Sequence, residues 1–497
     1  MTDQTSTAGA TSPLKQGPLK QGGALFPETS IDPDNPLLRI DSYKISHPAM
    51  GLPGATRTSA YIEARRDWDG IDTVAFFGLQ VELAKMAGRV VTAERLAEAE
   101  PFLRAHGLRL HLEGWRRIVE VHGGRLPLRI SALPEGTRTP IGVAQVRIEN
   151  TDPTLWWLPS FFETRLLRAV WYPATVASLS AHMRGEIERR MRITEGDEPG
   201  AIDGAVFKLH DFGARGASSG ETAALGGCSH LLSFSGSDTV EALVLARNIY
   251  GAAMAGYSIP ATEHSVVTAW GESGECAFME KLLDDHPSGL VACVSDSYDL
   301  MRAIRDYWGG ALRDKVLARD GVLVVRPDSG EPTEIVPAAI EALMDAFGHA
   351  TTPTGYRLLP PQVRVIQGDG IDRFSTPKVM DAMIARGLAI GNIAFGMGGG
   401  LLQKPNRDDF SYALKVSAIE VDGAWRDVWK DPKTAGGAKT SKRGRVAVVR
   451  DGPHGALRHA RLDQIAACDD LLTPVFENGE ILRISTLDEI RARLWPR

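Results

Sequence analysis

Between residues 207 and 400 the apolar positions fall into short continuous runs, and each run stops at a charged residue or a glycine. The runs are 207–213 (FKLHDFG), 230–236 (HLLSFSG), 290–296 (LVACVSD), 321–328 (GVLVVRPD), 363–370 (VRVIQGDG) and 392–400 (NIAFGMGGG). A weaker one, 256–261, precedes Glu263 and His264. Helical spacing fills the gaps at 238–250, 298–316, 332–347 and 376–386. Continuous apolar runs mark strands buried on both faces. Their alternation with helices predicts parallel strands joined by crossovers. Six or seven such units predict a (β/α) barrel, with an open doubly wound sheet as the structural alternative.

The flanks read differently. Before the runs, 60–65 and 74–79 look like strand and turn elements, and 92–106 and 110–120 like helices. Residues 126–133 and 142–149 predict antiparallel strands, with a turn at 134–136. The stretch 155–169 is apolar and aromatic, 174–191 predicts a long helix, and 196–204 a linker. After residue 400, 412–421 and 424–429 alternate like a hairpin turning at Asp422 and Gly423. A basic loop (439–445, KTSKRGR), short strands at 446–450 and 458–462, and a helix at 485–494 follow. The expected fold is α/β: an irregular (β/α) barrel inserted in a mixed α+β domain formed by the N- and C-terminal parts. The expected boundaries are a disordered tail at 1–32, the first mixed part at 33–199, the barrel at 200–405 and the second mixed part at 406–497. The tail is rich in Gly, Ser, Thr, Pro and Gln and holds a tandem PLKQG repeat.

Composition narrows the class. A net charge of −6 argues against a general nucleic-acid binder. The four cysteines lack C-x-x-C spacing, so they read as reduced thiols and not as a metal cluster. No apolar run approaches the ~18–20 residues that span a bilayer, and no signal-peptide core is visible. The expected location is cytoplasmic, without a membrane partner.

The chemistry collects where the predicted strands end: His210, Asp211, Arg215, Asp238, His264, Asp296, Arg326, Asp328 and Asp369. Three of these ends suit a phosphorylated ligand. Gly396–Gly400 (GMGGG) lets backbone N–H groups approach phosphate oxygens, although in isolation a ligand-free βα turn is the better explanation. Arg326 could grip a phosphate while Asp328 accepts from a sugar hydroxyl; the alternative is an Arg–Asp pair closing a turn. Gly368, Asp369 and Gly370 repeat the combination of tight backbone and one carboxylate, or form a simple turn. Together they favour a sugar-phosphate site. No GxxxxGK[ST] loop and no GxGxxG after a strand supports an NTPase or dinucleotide reading.

Long stretches then become specific. KLHDFGARGASSGETAALGG (208–227), FSGSDTV (234–240), GYSIPATEHS (256–265), VSDSYD (294–299), RPDSG (326–330), LLPPQVRVIQGDG (358–370) and NIAFGMGGGLLQK (392–404) closely resemble the nicotinamide phosphoribosyltransferase family. DSYKISH (41–47), TDPTLWWLPSFFET (151–164) and WYPATVA (171–177) match it too. The resemblance covers nearly everything after residue 36 and keeps the family order. It implies a type II phosphoribosyltransferase that joins nicotinamide to phosphoribosyl pyrophosphate in NAD salvage. It also implies a homodimer with shared sites, Mg²⁺ accompanying pyrophosphate, and ATP as a coupled substrate through a phosphohistidine.

Residue roles follow from the same resemblance. Catalysis falls to His264, Asp296 and Arg326. Arg215, His264 and Arg326 hold the diphosphate. Phe212, Asp238, Arg326 and the other subunit's Tyr43 hold nicotinamide, with Phe212 and Tyr43 sandwiching the ring. Asp328, Gly368, Asp369, Gly398, Gly399, Arg407 and Lys415 hold the ribose and its phosphate. No metal ligand is assigned to the protein. Lys442, Arg443 and Arg445 look like further phosphate-side groups, with a solvated surface as the alternative. Without the resemblance, Phe212 reads as core, His264 as structural and Asp238 as the N-cap of the following helix. Ala413 departs from the family's usual hydroxyl residue, and Pro405 and Asn406 alter the link to Arg407. The competing functions are nicotinate phosphoribosyltransferase, a non-catalytic relative of the same fold, and a generic phosphosugar-binding barrel.

Overall fold

The computed structural model describes residues 31–431, 441–452 and 455–496. Most of the predicted tail, and Lys439 with Thr440 of the basic loop, lie outside them. A six-stranded parallel sheet carries the apolar runs, in the order Gly236–Ser237, Leu209–Asp211, Ile393–Met397, Val363–Gln367, Asp320–Arg326, Ser288–Val294. The sheet curls. Tyr257 bridges in parallel to Gly236 at one edge, and Ala261 to Ala292 at the other. Tyr257 N–H donates to Ser235 O (2.7 Å) and Ala292 N–H to Pro260 O (2.9 Å), so the weak run at 256–261 closes the barrel. It carries few ladder bonds because Pro260 has no N–H to give.

The second sheet has seven strands, ordered Ala424–Asp427, Ala413–Val421, Ala55–Glu63, Ala144–Asn150, Leu128–Ala132, Thr473–Glu477, Glu480–Ile481. Ala413–Val421 pairs antiparallel with Ala55–Glu63, bringing the two ends of the chain into one sheet around the inserted barrel. The α/β fold class read from the sequence is therefore the one observed.

One helix joins the two sheets. Glu163–Glu195 runs 33 residues. Its first half packs Leu166, Val170 and Ala174 into the antiparallel sheet's core, with Trp115, Tyr61 and Ile148. Its second half packs Leu179, Met183 and Ile187 onto the barrel, with Leu209, Val365 and Phe395. Each fully buried Leu, Val, Met or Ile among these contributes about 1.5–3 kcal/mol. The sequence predicted only 174–191 as helix, a span that begins just after Pro173, and proline ordinarily breaks a helix interior. Pro173 instead lies inside the helix, packed against Gly78, where a Cβ would come within 2.2 Å of the proline ring.

Two shorter helices were also missed. Leu79–Met86, of which only Leu79 fell in a strand-and-turn stretch, and Gly220–His230 had no element of their own assigned from the sequence. The run at 230–236 is mostly the turn after that helix, and its strand is only Gly236–Ser237. The stretch DSYKISH forms most of a 3₁₀ helix, Ser42–Met50.

Candidate active site

The barrel strands deliver their polar ends to one rim. Beyond Leu209–Asp211 the chain is held by Phe212 N–H donating to Met397 O (3.0 Å). The Phe212 ring turns into the lumen, beside Ile259, Ala292, Val324 and Ile366. It lies against Gly396, where a Cβ would sit 2.0 Å from the ring, and beside Gly368, where a Cβ would sit 3.5 Å away. Phe212 is thus a lumen residue and not part of the main core.

Asp211 points the other way. It is fully buried, and its Oδ1 accepts Gly213 N–H (2.7 Å). Burial pushes its carboxyl up to about 6. Its carbonyl accepts Asp238 N–H (3.0 Å), so Asp211 fixes both neighbouring loops and does not face a ligand.

Asp238 does not cap a helix. The following helix, Val240–Tyr250, has Thr239 at its N-cap and no side-chain cap bond. The Asp238 carboxylate instead accepts the Ser258 hydroxyl (2.5 Å). Beside it, His210 packs on Gly236 and places Nε2 3.0 Å from Phe207 O. Burial lowers the His210 pKa, which keeps the ring neutral.

His264 opens the helix His264–Thr268. Its Nδ1 lies 3.1 Å from Ser297 Oγ. Its Nε2 faces two carboxylates, Asp328 at 3.4 Å and Asp296 at 3.7 Å. Asp296 is 5% exposed, and its Oδ2 accepts Asp328 N–H (2.9 Å) and Ser329 Oγ–H (2.6 Å). Asp296 Oδ1 has no hydrogen-bond partner among the described residues. Glu263 accepts the Ser265 hydroxyl, so it does not orient the imidazole. Arg326 donates through Nη2 (2.5 Å) and Nε (3.1 Å) to Asp328 Oδ1, which is the turn-closing pair weighed from the sequence.

Phe212, Asp238, Arg215 and Arg326 line one cavity of about 1060 Å³ that continues down the lumen. Apolar strand residues form its walls. Lys208 and Arg364, near the strand starts, line its far end. Lys208 donates to Gly391 O (2.9 Å) and Ile393 O (2.8 Å), and burial pushes its amine down to about 8.

The phosphate-side candidates divide into two groups. Gly398 lies by Phe212 O, with a Cβ there 3.6 Å away, and nothing lies within 4 Å of the space above Gly399. Asp369 is exposed at the turn before Gly370, and its side chain makes no hydrogen bond or ion pair among the described residues. These residues join the barrel set. Tyr43, Arg407 and Lys415 do not. Tyr43 is 57% exposed and contacts His47 and Lys44. Arg407 pairs with Asp408 (2.7 Å), and Lys415 sits opposite Tyr61 in the antiparallel sheet.

The basic loop is neither free nor merely solvated. Lys442 pairs with buried Glu63 and Arg445 with buried Glu149 (2.8 Å), while Arg443 lies over Trp429 (4.1 Å). Ser258 and Ser297, which touch Asp238 and His264, were passed over by residue-by-residue reading, and Gly396, read there as part of a phosphate-approach turn, is the seat of Phe212. All three stood inside the motifs GYSIPATEHS, VSDSYD and NIAFGMGGG.

Comparison with known proteins places this geometry. The Nicotinate phosphoribosyltransferase (NAPRTase) family profile matches residues 207–480, and the Nicotinamide phosphoribosyltransferase, N-terminal domain, matches 35–130. A nicotinamide phosphoribosyltransferase of Xanthomonas campestris pv. campestris is 47% identical over 466 residues, covering 92% of this chain and 98% of that protein. One of Acinetobacter baylyi is 32% identical over 502 residues, covering 93% and 97%. Among solved structures, the nicotinate-nucleotide pyrophosphorylase of Pyrococcus furiosus shares the fold, with a TM-score of 0.59 at 16% identity over 94% of this chain and 96% of that one. Human nicotinic acid phosphoribosyltransferase gives a TM-score of 0.53 at 16% identity over 91% and 92%.

Proposed function

This chain belongs to the nicotinamide phosphoribosyltransferase family, and from that premise we propose that it joins nicotinamide to phosphoribosyl pyrophosphate, yielding nicotinamide mononucleotide and pyrophosphate in NAD salvage. The observation that carries the choice of base is Asp238. Its carboxylate shares the cavity with the Phe212 ring, is held by a neutral hydroxyl, and makes no ion pair among the described residues. Such a group accepts from the amide NH₂ of nicotinamide. Against the carboxylate of nicotinic acid it sets like charges, at a cost on the order of 4 kcal/mol for 4 Å separation near a protein surface.

The reaction needs no general base. The C1–O bond to pyrophosphate breaks through an oxocarbenium-like state, its electron pair leaving on the pyrophosphate oxygen. The pyridine nitrogen lone pair then forms the new bond to C1. The protein's part is to align the partners and receive the departing charge. Phe212 stacks on the ring. Arg326 and Arg215 face the diphosphate, and Asp328, Gly368 and Asp369 hold the ribose. Gly398 and Gly399 hold the phosphate. Mg²⁺ enters as the counter-ion of the pyrophosphate substrate. Among the described residues no group of three His, Cys, Asp or Glu is placed to hold a resident metal.

ATP coupling runs through His264. With Nε2–H facing Asp328 and Asp296, the lone pair rests on Nδ1, toward the Ser297 hydroxyl. Nδ1 attacks the γ-phosphorus of ATP, ADP departs, and water later cleaves the phosphohistidine. A homodimer completes the site: Tyr43, Arg407 and Lys415 do not line the barrel cavity of their own chain, and a second copy supplies them. The test is product formation from phosphoribosyl pyrophosphate and Mg²⁺, with nicotinamide and nicotinic acid in parallel and with ATP present or absent. Strong preference for nicotinamide is expected. Preference for nicotinic acid overturns the role of Asp238.

A further inference from the structure

A second hollow lies away from the barrel, between the C-terminal helix Leu487–Leu494, the strand Thr473–Glu477 and the turn before Arg138. Its volume is about 740 Å³, and none of its lining residues is shared with the barrel cavity. Four arginines line it: Arg138, Arg450, Arg483 and Arg493. Each donates to a neutral oxygen. Arg138 Nε reaches Leu494 O (3.1 Å), Arg450 Nη1 reaches Gly455 O (3.0 Å), and Arg483 Nη1 reaches Thr473 Oγ1 (3.3 Å). Arg493 Nη1 donates to Glu135 O.

None of the four makes an ion pair among the described residues. Arginines close by do: Arg147 with Asp470 (2.6 Å) and Arg129 with Glu477 (2.6 Å). The one carboxylate on the wall, Asp470, is already used by Arg147 and by the N–H groups of Val448 and Leu472 (both 3.1 Å). Four guanidiniums without an ion pair among the described residues thus share one concave surface on a chain whose net charge is −6. Like charges gathered in a hollow repel one another and focus a positive potential there. Guanidinium forks with free N–H pairs match phosphate oxygens in bidentate fashion.

Apart from Thr137 and Thr473, the rest of the wall is largely apolar. Leu133, Leu457 and Leu494 line it, together with the Trp495 indole, which Arg138 overlies at 4.7 Å. A flat heteroaromatic group can pack on that indole edge while phosphates meet the arginines. We propose that this hollow is a second ligand site, separate from the transfer site, which binds a nucleoside polyphosphate.

The test is calorimetric titration of the full chain with ADP, inorganic tripolyphosphate and adenosine. It compares the wild type with Arg450→Glu/Arg483→Glu and with Trp495→Leu. Both arginines are exposed and make one hydrogen bond each, so the double variant is expected to fold and to keep its transfer activity. One ADP binding event should weaken about tenfold or more in the double variant. Trp495→Leu should weaken ADP but not tripolyphosphate, and adenosine alone should not bind there. An ADP titration unchanged by the double variant overturns the site. Tripolyphosphate binding as tightly as ADP, with no effect of Trp495→Leu, overturns the nucleoside assignment.

Discussion

Phe212 lies against Gly396 so closely that a Cβ on the glycine would come within 2.0 Å of the ring's Cδ2 and Cε2. Gly396 stands on a strand that pairs in parallel with Leu209–Asp211, in the register that sets it beside His210, and Phe212 follows directly on the end of that neighbouring strand. A missing side chain on one strand makes the seat for an aromatic ring from the next. Gly396→Ala should therefore push Phe212 from its place. The expected result is a rise of about two- to tenfold in the nicotinamide KM, with a smaller change for phosphoribosyl pyrophosphate, since a stacked aromatic pair is worth about 0.5–1.5 kcal/mol beyond its area. Steady-state kinetics with each substrate varied in turn checks it.

Gly399 gives the opposite control. Nothing lies within 4 Å of a Cβ there, so Gly399→Ala fits the folded protein without a clash. Alanine also favours the helical conformation of Gly399–Leu402. The melting temperature should be unchanged or slightly higher. The KM for phosphoribosyl pyrophosphate should rise severalfold if the 5′-phosphate occupies that space. Unchanged KM with unchanged stability would remove Gly399 from the site.

Asp238→Ala removes the amide acceptor and leaves Ser258 without its partner. Hydrogen bonds to charged groups are worth about 1.5–3 kcal/mol. The ratio of kcat/KM for nicotinamide over nicotinic acid should therefore fall by about one to two orders of magnitude. Binding of phosphoribosyl pyrophosphate should be largely kept, and a competition assay with both bases reads the ratio directly.

Tyr43 does not line the cavity that Arg326 of its own chain lines, and this makes shared sites testable by mixing. Tyr43→Ala and Arg326→Ala homodimers should each be nearly inactive. After subunit exchange, hybrid dimers carry one site with both changes and one intact site, so activity should recover to about a quarter of the wild type. No recovery would place Tyr43 outside the partner's site.

Asp211 sets a pH dependence. Burial raises its carboxyl from 3.8 to about 6, so the folded state holds the proton more tightly than the unfolded chain does. Its stabilising contribution is full below about pH 4 and is lost as pH rises through about 6. Asp211→Asn keeps an acceptor for Gly213 N–H and removes the charge. Its melting temperature relative to wild type should be about 2–5 °C more favourable at pH 8 than at pH 4.5. A difference independent of pH would show that Asp211 is not titrating in the folded protein.

The barrel was legible because its strands are buried on both faces, which leaves continuous apolar runs that local reading detects. The polar residues ending those runs were legible for the same reason: His264, Asp296, Arg326 and Asp328 stand out against apolar neighbours, and the structure brings them together. Local periodicity does not report contacts between distant segments. That Pro173 continues a helix depends on Gly78 across the interface, and that Asp238 takes Ser258 instead of capping a helix depends on the strand closing the barrel. Lys442 and Arg445 were read as phosphate groups because their charge is visible in sequence, while their partners Glu63 and Glu149 lie about 300 or more positions away. Charge and hydrophobicity are properties of a residue, and the sequence by itself determines them. Which charge is neutralised, which ring finds a flat seat, and which carboxylate is left to meet a ligand are decided by neighbours that only the folded chain provides.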